Sequence, residues 1–232
     1  GHTSGLANDI FLNATLEGEK YTGIVGYLKD EVLAFPPGTI YHYSNVGYSL
    51  LGHAILAVSK QDYPVYMQKN VLQSAGMTHS GFLGHDPLQQ VSVGYDGEGM
   101  PFQSNKIRTM PAGALYSNLD DMVSLARELI AIYHGKTGGF LSPKTVREIF
   151  REQKDAALIV DRKEGLGWSL FQNDSGLLLL HYGSDNVSWA GFIIAPEKRM
   201  AAVMLSNSAG GAAILDALSA KFLAAGGFSD SD

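Results

Sequence analysis

Three apolar runs near the end of the sequence limit the fold of this chain more than any other feature. They cover Leu177–Gly183, Trp189–Ala195 and Met200–Asn207, and each has the length of one β-strand. Pro196-Glu197-Lys198 supplies a turn between the second run and the third. Such short runs, separated by short connections, predict an antiparallel sheet. The third run is apolar on both faces, which is typical of a strand inside a sheet and not of one at its edge.

Helical periodicity predominates before these runs. Apolar residues recur at helical spacing over Asn45–Ser59, where Ser44 or Asn45 can act as the N-cap. Further helices are predicted in four places: from Asp62 to about Ala75, from the capping-box-like Ser117-x-x-Asp120 to His134-Gly135, from Ser142-Pro143 to about Glu152, and from about Ala209 to Ala225.

These patterns predict one domain over residues 1–232, because 232 residues with 45% hydrophobic content suffice for one sizeable core. Residues 1–164 are expected to form its mostly helical part. Residues 165–232 are expected to form an antiparallel sheet with a closing helix. The predicted class is therefore α+β, in the form of an α/β sandwich whose sheet is flanked by helices.

Composition excludes several kinds of function. A net charge of −6 gives no electrostatic footprint for nucleic acid or for an anionic membrane. The chain has no cysteine, which excludes disulfides and thiolate metal sites. Its apolar runs are too short to span a bilayer. A cysteine-free chain fits a periplasmic or secreted bacterial protein, but it also fits many cytosolic ones.

Several blocks of sequence carry candidate chemistry. Tyr43-Ser44-Asn45 lies where a loop enters a predicted helix, and His181-Tyr182-Gly183 ends the first apolar run. Three further blocks accompany them: His2-Thr3-Ser4-Gly5-Leu6, Pro111-Ala112-Gly113-Ala114-Leu115 and Gly165-Leu166-Gly167-Trp168. In this order, over nearly the whole chain, the blocks resemble serine hydrolases of the class C β-lactamase and penicillin-binding-protein type. The resemblance implies a β-lactamase/transpeptidase-like fold that is incomplete at its N-terminus.

The resemblance also implies roles for individual residues. Tyr43 matches the tyrosine that acts as a general base or relays a proton, and Asn45 matches the asparagine that holds a substrate amide. A tyrosine flanked by cations can give up its proton well below the ordinary pKa near 10. His181 would line the site from a strand and bond to Tyr43 or to the substrate. Gly183 would let the substrate approach that strand, and the N–H of Ser184 would form half of an oxyanion hole.

The nucleophile of the resembling family does not lie in this sequence. In that family it is the serine of Ser-x-x-Lys, several dozen residues before the His-Thr-Ser-Gly-Leu block. No Ser or Thr of this chain has Lys three positions later. The sequence therefore resembles the C-terminal part of a longer protein, called here the parent protein, in which Ser-x-x-Lys precedes this chain.

Other patterns are interpreted as structural. Lys136-Thr137-Gly138 spells the family's strand triplet, but it lies between two predicted helices and is expected to be a surface loop. His79 and His85-Asp86 lack the spacing of a metal motif such as His-Glu-x-x-His and are expected to be solvated. His2-Thr3-Ser4 is expected to be structural. No metal and no cofactor is expected.

The leading hypothesis is acyl transfer by the parent protein through an acyl-serine formed on a β-lactam, a D-peptide or an ester. The alternative is a binding or interaction protein that lacks the nucleophile and retains the cleft. The expected partner is a small-molecule acyl substrate. In the resembling family, N-terminal strands pair with the strand that matches Met200–Asn207. We therefore expect an N-terminal fragment or a second copy of the chain to cover residues 200–207.

Overall fold

The computed structural model describes residues 2–6, 21–83, 85, 91–102, 110–153, 163–185 and 187–228. Its helices are α1 (Ile24–Leu28), α2 (Asn45–Ser59), α3 (Tyr63–Met67), α4 (Met110–Gly113), α5 (Leu119–Tyr133), α6 (Pro143–Ile149) and α7 (Gly211–Ala225). Its strands are β1 (Gly81–Phe82), β2 (Gly94–Tyr95), β3 (Pro101–Phe102), β4 (Leu115–Tyr116), β5 (Lys163–Glu164), β6 (Ser169–Asn173), β7 (Gly176–Ser184), β8 (Trp189–Ala195) and β9 (Met200–Ser206). In these ranges, no helix has the length and hydrophobicity needed to cross a membrane.

The main sheet has five antiparallel strands in the order β5-β6-β7-β8-β9. The three apolar runs become β7, β8 and β9, which confirms the predicted sheet and the α+β class. Strand β6 was not predicted, because only Leu170 of that strand is buried. Strand β5 begins at Lys163, two residues before the expected boundary, and the pairs β1–β4 and β2–β3 add small sheets to the mostly helical part.

Helices cover both faces of this sheet. Leu179 of β7 and Phe192 of β8 pack with α5 and α6 on one face. Leu178 and Ile193 point the other way and pack with Leu215 of α7. Because side chains alternate along a strand, odd-numbered residues of β7 face α5 and α6, and even-numbered residues face α7.

Strand β9, whose sequence is typical of a central strand, lies at the end of the described sheet. Among the described residues it pairs with β8 alone, at the end of the sheet, and Ala201 and Leu205 are exposed. Both α5 and α7 pack against β9. Its two apolar faces therefore pack against helices on either side of the sheet.

The helix boundaries follow their capping residues. Helix α2 covers the predicted span, with Ser44 as N-cap. The cap of α5 is Asn118 and not Ser117, because Asn118 Oδ1 accepts the N–H of Asp121 at 2.9 Å. Ser117 Oγ instead lies 2.7 Å from Ser80 Oγ. Helix α3 is shorter than predicted and continues as one π-helical turn over Gln68–Leu72.

We expect Asp121→Ala to lower the free energy of unfolding by about 3 kcal/mol, because buried donors lose their acceptor. Asp121 is 3% exposed, and its Oδ2 accepts from Ser80 Oγ at 2.6 Å and from the backbone N–H of His79 at 2.7 Å. Asp120→Ala is the matched control on the same turn. Since Asp120 is exposed, its replacement by alanine should lower the free energy of unfolding by under about 1 kcal/mol. Urea unfolding monitored by circular dichroism measures both, and equal losses would contradict the role given to Asp121.

Candidate active site

The first part of the site is the loop that enters α2. Ser44 is buried and its Oγ accepts the N–H of Gly47 at 3.0 Å, which fixes where the helix begins. Tyr43 precedes this cap and its side chain is 47% exposed. Asn45 is the first helical residue and is half-buried. The N-cap therefore places Tyr43 and Asn45 on either side of one rigid residue.

The opening segment of the chain holds this loop from the outside. Backbone N–H groups of the loop donate to three carbonyls of the segment: His42 to His2 at 2.7 Å, Gly38 to Thr3 at 2.8 Å and Ala34 to Gly5 at 2.8 Å. These bonds agree with the structural role predicted for His2-Thr3-Ser4.

The second part of the site is the far end of β7. Strand β6 pairs with β7 only up to Ser169 opposite Leu180, so within the described residues no strand covers His181–Ser184 on that side. Asp185 N–H donates to the Ser188 carbonyl at 3.2 Å, toward β8. Hydrogen-bonding directions alternate along an antiparallel strand, so the N–H groups of Tyr182 and Ser184 point to the opposite edge. A Cβ added at Gly183 would meet no atom within 4 Å.

His181 is held by the Gly165–Trp168 segment. Its Nδ1 lies 2.7 Å from the Gly167 carbonyl oxygen, and its ring meets the Trp168 ring edge-on at 6.1 Å. Since a carbonyl only accepts, Nδ1 is the donor, which leaves Nε2 at the outer end of an exposed side chain. Gly167 has φ of +84°, a left-handed backbone that favours glycine.

Tyr48 connects the two parts. Its hydroxyl lies 3.9 Å from where a Cβ of Gly167 would stand, and its ring centroid lies 5.0 Å from that of His2. Burial raises the pKa of the Tyr48 phenol, and Glu164, Tyr41 and Tyr43 act in the same direction. Tyr48 therefore stays protonated at neutral pH and can donate.

Tyr48 therefore lies beside His2, which holds the loop of Tyr43, and near Gly167, whose carbonyl holds His181. Sequence analysis missed Tyr48, although a signal existed. It lies three positions after Asn45, so the two share a helix face. Asn45, Gly183 and Ser184 lie on the same two elements, α2 and β7.

Apart from His2-Thr3-Ser4, the residues interpreted as structural lie on other elements. Lys136-Thr137-Gly138 forms the loop between α5 and α6, where Lys136 Nζ pairs with Glu128 at 2.5 Å. The ring of exposed His79 lies 3.1 Å from Thr78 Oγ1 and 3.7 Å from Asp121 Oδ1, both measured from Nδ1. Asp86 lies outside the described residues. Within them, no group of three or more His, Asp or Glu side chains could hold a metal ion.

Comparison with known proteins identifies the family. A family model described as Beta-lactamase matches residues 1–225. The chain belongs to the beta-lactamase family. Membership places it in a superfamily of serine hydrolases. A human member, beta-lactamase-like 1, is 34% identical over 125 residues, which are 53% of this chain and 24% of the human protein.

Solved structures extend the likeness to the whole chain. SurE is 26% identical with a TM-score of 0.80, covering 97% of this chain and 54% of SurE. A class C beta-lactamase is 20% identical with a TM-score of 0.78, covering 96% of this chain and 67% of that enzyme. The latter identity shows the fold alone. The chain thus spans about half the length of SurE.

Proposed function

We propose that this chain forms the substrate-binding and proton-transfer part of an acyl-transferring serine hydrolase. The observation that carries the proposal is the position of Tyr48, which lies against His2 beside Tyr43 and near Gly167, the residue bonded to His181. The nucleophile would be the serine of Ser-x-x-Lys in the parent protein. Substrates would be β-lactams, D-peptides or esters.

The first half-reaction forms an acyl-serine. The serine oxygen would bond to the substrate carbonyl carbon while the serine proton passes to the oxygen of ionised Tyr43, a form that the neighbouring lysine of Ser-x-x-Lys favours. The carbon–nitrogen or carbon–oxygen bond then breaks, and Tyr43 returns the proton to the leaving group. In the second half-reaction water replaces the leaving group, releasing the acid and restoring the serine.

The β7 edge would stabilise negative charge on the substrate oxygen. The N–H of Ser184 points to that edge, and the N–H of the nucleophilic serine would complete an oxyanion hole. His181, through Nε2, would accept a hydrogen bond from the substrate or from Tyr43. Asn45 would hold the substrate amide through its own donor and acceptor.

A relative favours one substrate class among the three. SurE has also been solved with D-Leu, and that structure is 25% identical to this chain with a TM-score of 0.76. A D-amino acid in a related structure supports D-peptides or D-amino acid esters as substrates. Turnover by the parent protein of a β-lactam, a D-alanyl peptide and a nitrophenyl ester tests the proposal, and no turnover of any would contradict it.

Gly183→Ala should raise KM of the parent protein by about tenfold and leave stability nearly unchanged, because the added methyl projects only where substrate approaches. The structure offers that methyl open space, and the backbone at Gly183 is not left-handed. Gly97→Ala is the matched control, since its Cβ also meets no atom within 4 Å. Steady-state kinetics and thermal melting separate the two effects, and unchanged KM in Gly183→Ala would count against substrate binding at this edge.

We also propose that the open edge of β9 pairs with another strand in the working protein, either from an N-terminal fragment or from a second copy of this chain. An apolar edge with exposed Ala201 and Leu205 favours strand pairing. We expect light scattering of residues 1–232 to give a species larger than the 24.9 kDa chain. Ala201→Pro would remove a backbone donor from the open edge of β9, because the N–H of Ala201 points away from β8. A monomer at all concentrations would contradict this pairing.

A further inference from the structure

The His2 side chain and backbone contact three consecutive residues around Tyr43. The His2 carbonyl accepts the N–H of His42 at 2.7 Å, and His2 Nδ1 accepts the N–H of Ser44 at 3.1 Å. Between these two bonds the imidazole lies against Tyr43 itself, with ring centroids 4.2 Å apart and an interplanar angle of 31°. His2 therefore bonds to the residues on both sides of Tyr43 and also packs against the Tyr43 ring.

These contacts determine which nitrogen of the His2 imidazole carries the proton. An amide N–H only donates, so Nδ1 is unprotonated and neutral His2 carries its proton on Nε2. This is the opposite tautomer to that of His181, whose Nδ1 donates to Gly167. The surrounding rings, Tyr41 at 5.6 Å and Tyr48 at 5.0 Å, limit the rotation of His2.

We propose that His2 is a positioning residue for Tyr43, and this inference rests on the proton-transfer role proposed for Tyr43. The helix N-cap fixes Ser44 from inside α2, whereas His2 fixes the backbone that carries the Tyr43 side chain. Loss of these His2 contacts would shift the backbone that carries Tyr43, and the Tyr43 hydroxyl would move with it. A displacement of about 1 Å in a catalytic group can lower a rate about 100-fold.

Two substitutions separate the hydrogen bond that His2 Nδ1 accepts from the contact between the His2 and Tyr43 rings. His2→Asn places an acceptor where Nδ1 stands and removes the ring. His2→Phe keeps a ring against Tyr43 and removes the acceptor. Imidazole ¹⁵N NMR of residues 1–232 should show His2 protonated on Nε2, and amide hydrogen exchange should show Ser44 protected. We expect His2→Phe to lower that protection about tenfold and His2→Asn to retain most of it.

Kinetics of the parent protein complete the test. We expect His2→Phe to lower kcat about tenfold or more with little change in KM, and His2→Asn to recover most of kcat. A merely structural role would lower the melting temperature in both variants without this difference in kcat. A proton on Nδ1 of His2, unchanged Ser44 exchange in His2→Phe, or equal kcat in all three proteins would overturn the inference. Absence of turnover in the unsubstituted parent would instead contradict the proposed function, and the NMR results would still decide whether His2 anchors the loop.

Discussion

Residues 1–232 alone should turn over β-lactams and nitrophenyl esters about 10⁶-fold more slowly than an ordinary serine hydrolase, the usual effect of removing a catalytic serine. The serines nearest Tyr43 already have other bonds. Ser44 Oγ caps α2, Ser4 Oγ accepts the N–H of Leu6 at 3.3 Å, and buried Ser49 donates to the Asn45 carbonyl at 3.0 Å. None stands beside a lysine in the way that Ser-x-x-Lys requires.

The control for this first expectation is the parent protein at equal concentration, assayed with the same substrates. The parent protein should be active. Replacing the serine of its Ser-x-x-Lys by alanine should reduce its turnover rate to that of residues 1–232. Turnover by residues 1–232 within about tenfold of the parent would contradict the account and require another nucleophile in this chain.

Tyr43→Phe in the parent protein should lower kcat/KM by about 10²- to 10⁴-fold, the range of a general acid–base group. The phenylalanine ring keeps the contact with His2, and Tyr43 is 47% exposed, so the fold should be preserved. Removal of the hydroxyl alone would therefore report proton transfer. The measurement is the rate of substrate acylation under single-turnover conditions, with thermal melting as the check on folding.

Tyr41→Phe is the matched control for this second expectation. Tyr41 also packs its ring on His2, at 5.6 Å, but it precedes the loop residues that cap α2. We expect less than about a threefold change in acylation rate for Tyr41→Phe, which is small beside an acid–base effect. Equal losses in both variants, or a Tyr43→Phe enzyme with nearly full activity, would remove Tyr43 from the mechanism.

Much of the fold was predictable because apolar periodicity and caps encode it locally. The span of α2 and the span of β8 were predicted to the residue. Strand β6 was not, since it carries one buried residue and depends on its hairpin with β7. The cap of α5 was misplaced by one residue, because Ser117 and Asn118 both have capping side chains and only the tertiary contact with Ser80 decides between them.

The position of β9 shows a limit of pattern analysis. Apolar residues on both faces of a strand reflect what lies above and below the sheet, here α5 and α7, so the pattern alone did not place β9 at the end of the described sheet. For the candidate site, the motifs indicated Tyr43 and His181 separately. Their connection through Tyr48 and Gly167 depends on a left-handed glycine and a helix face, which no single motif contains.

The most direct test of the account is intact-mass spectrometry of the parent protein after brief exposure to a β-lactam and to an activated D-amino acid ester. The account predicts one covalent acyl group, mapped to the serine of Ser-x-x-Lys. It should accumulate about 100-fold or more slowly in Tyr43→Phe and more slowly also in His181→Ala. Reversible binding with no adduct on any serine would contradict it and would identify a binding protein that retains the cleft without the chemistry.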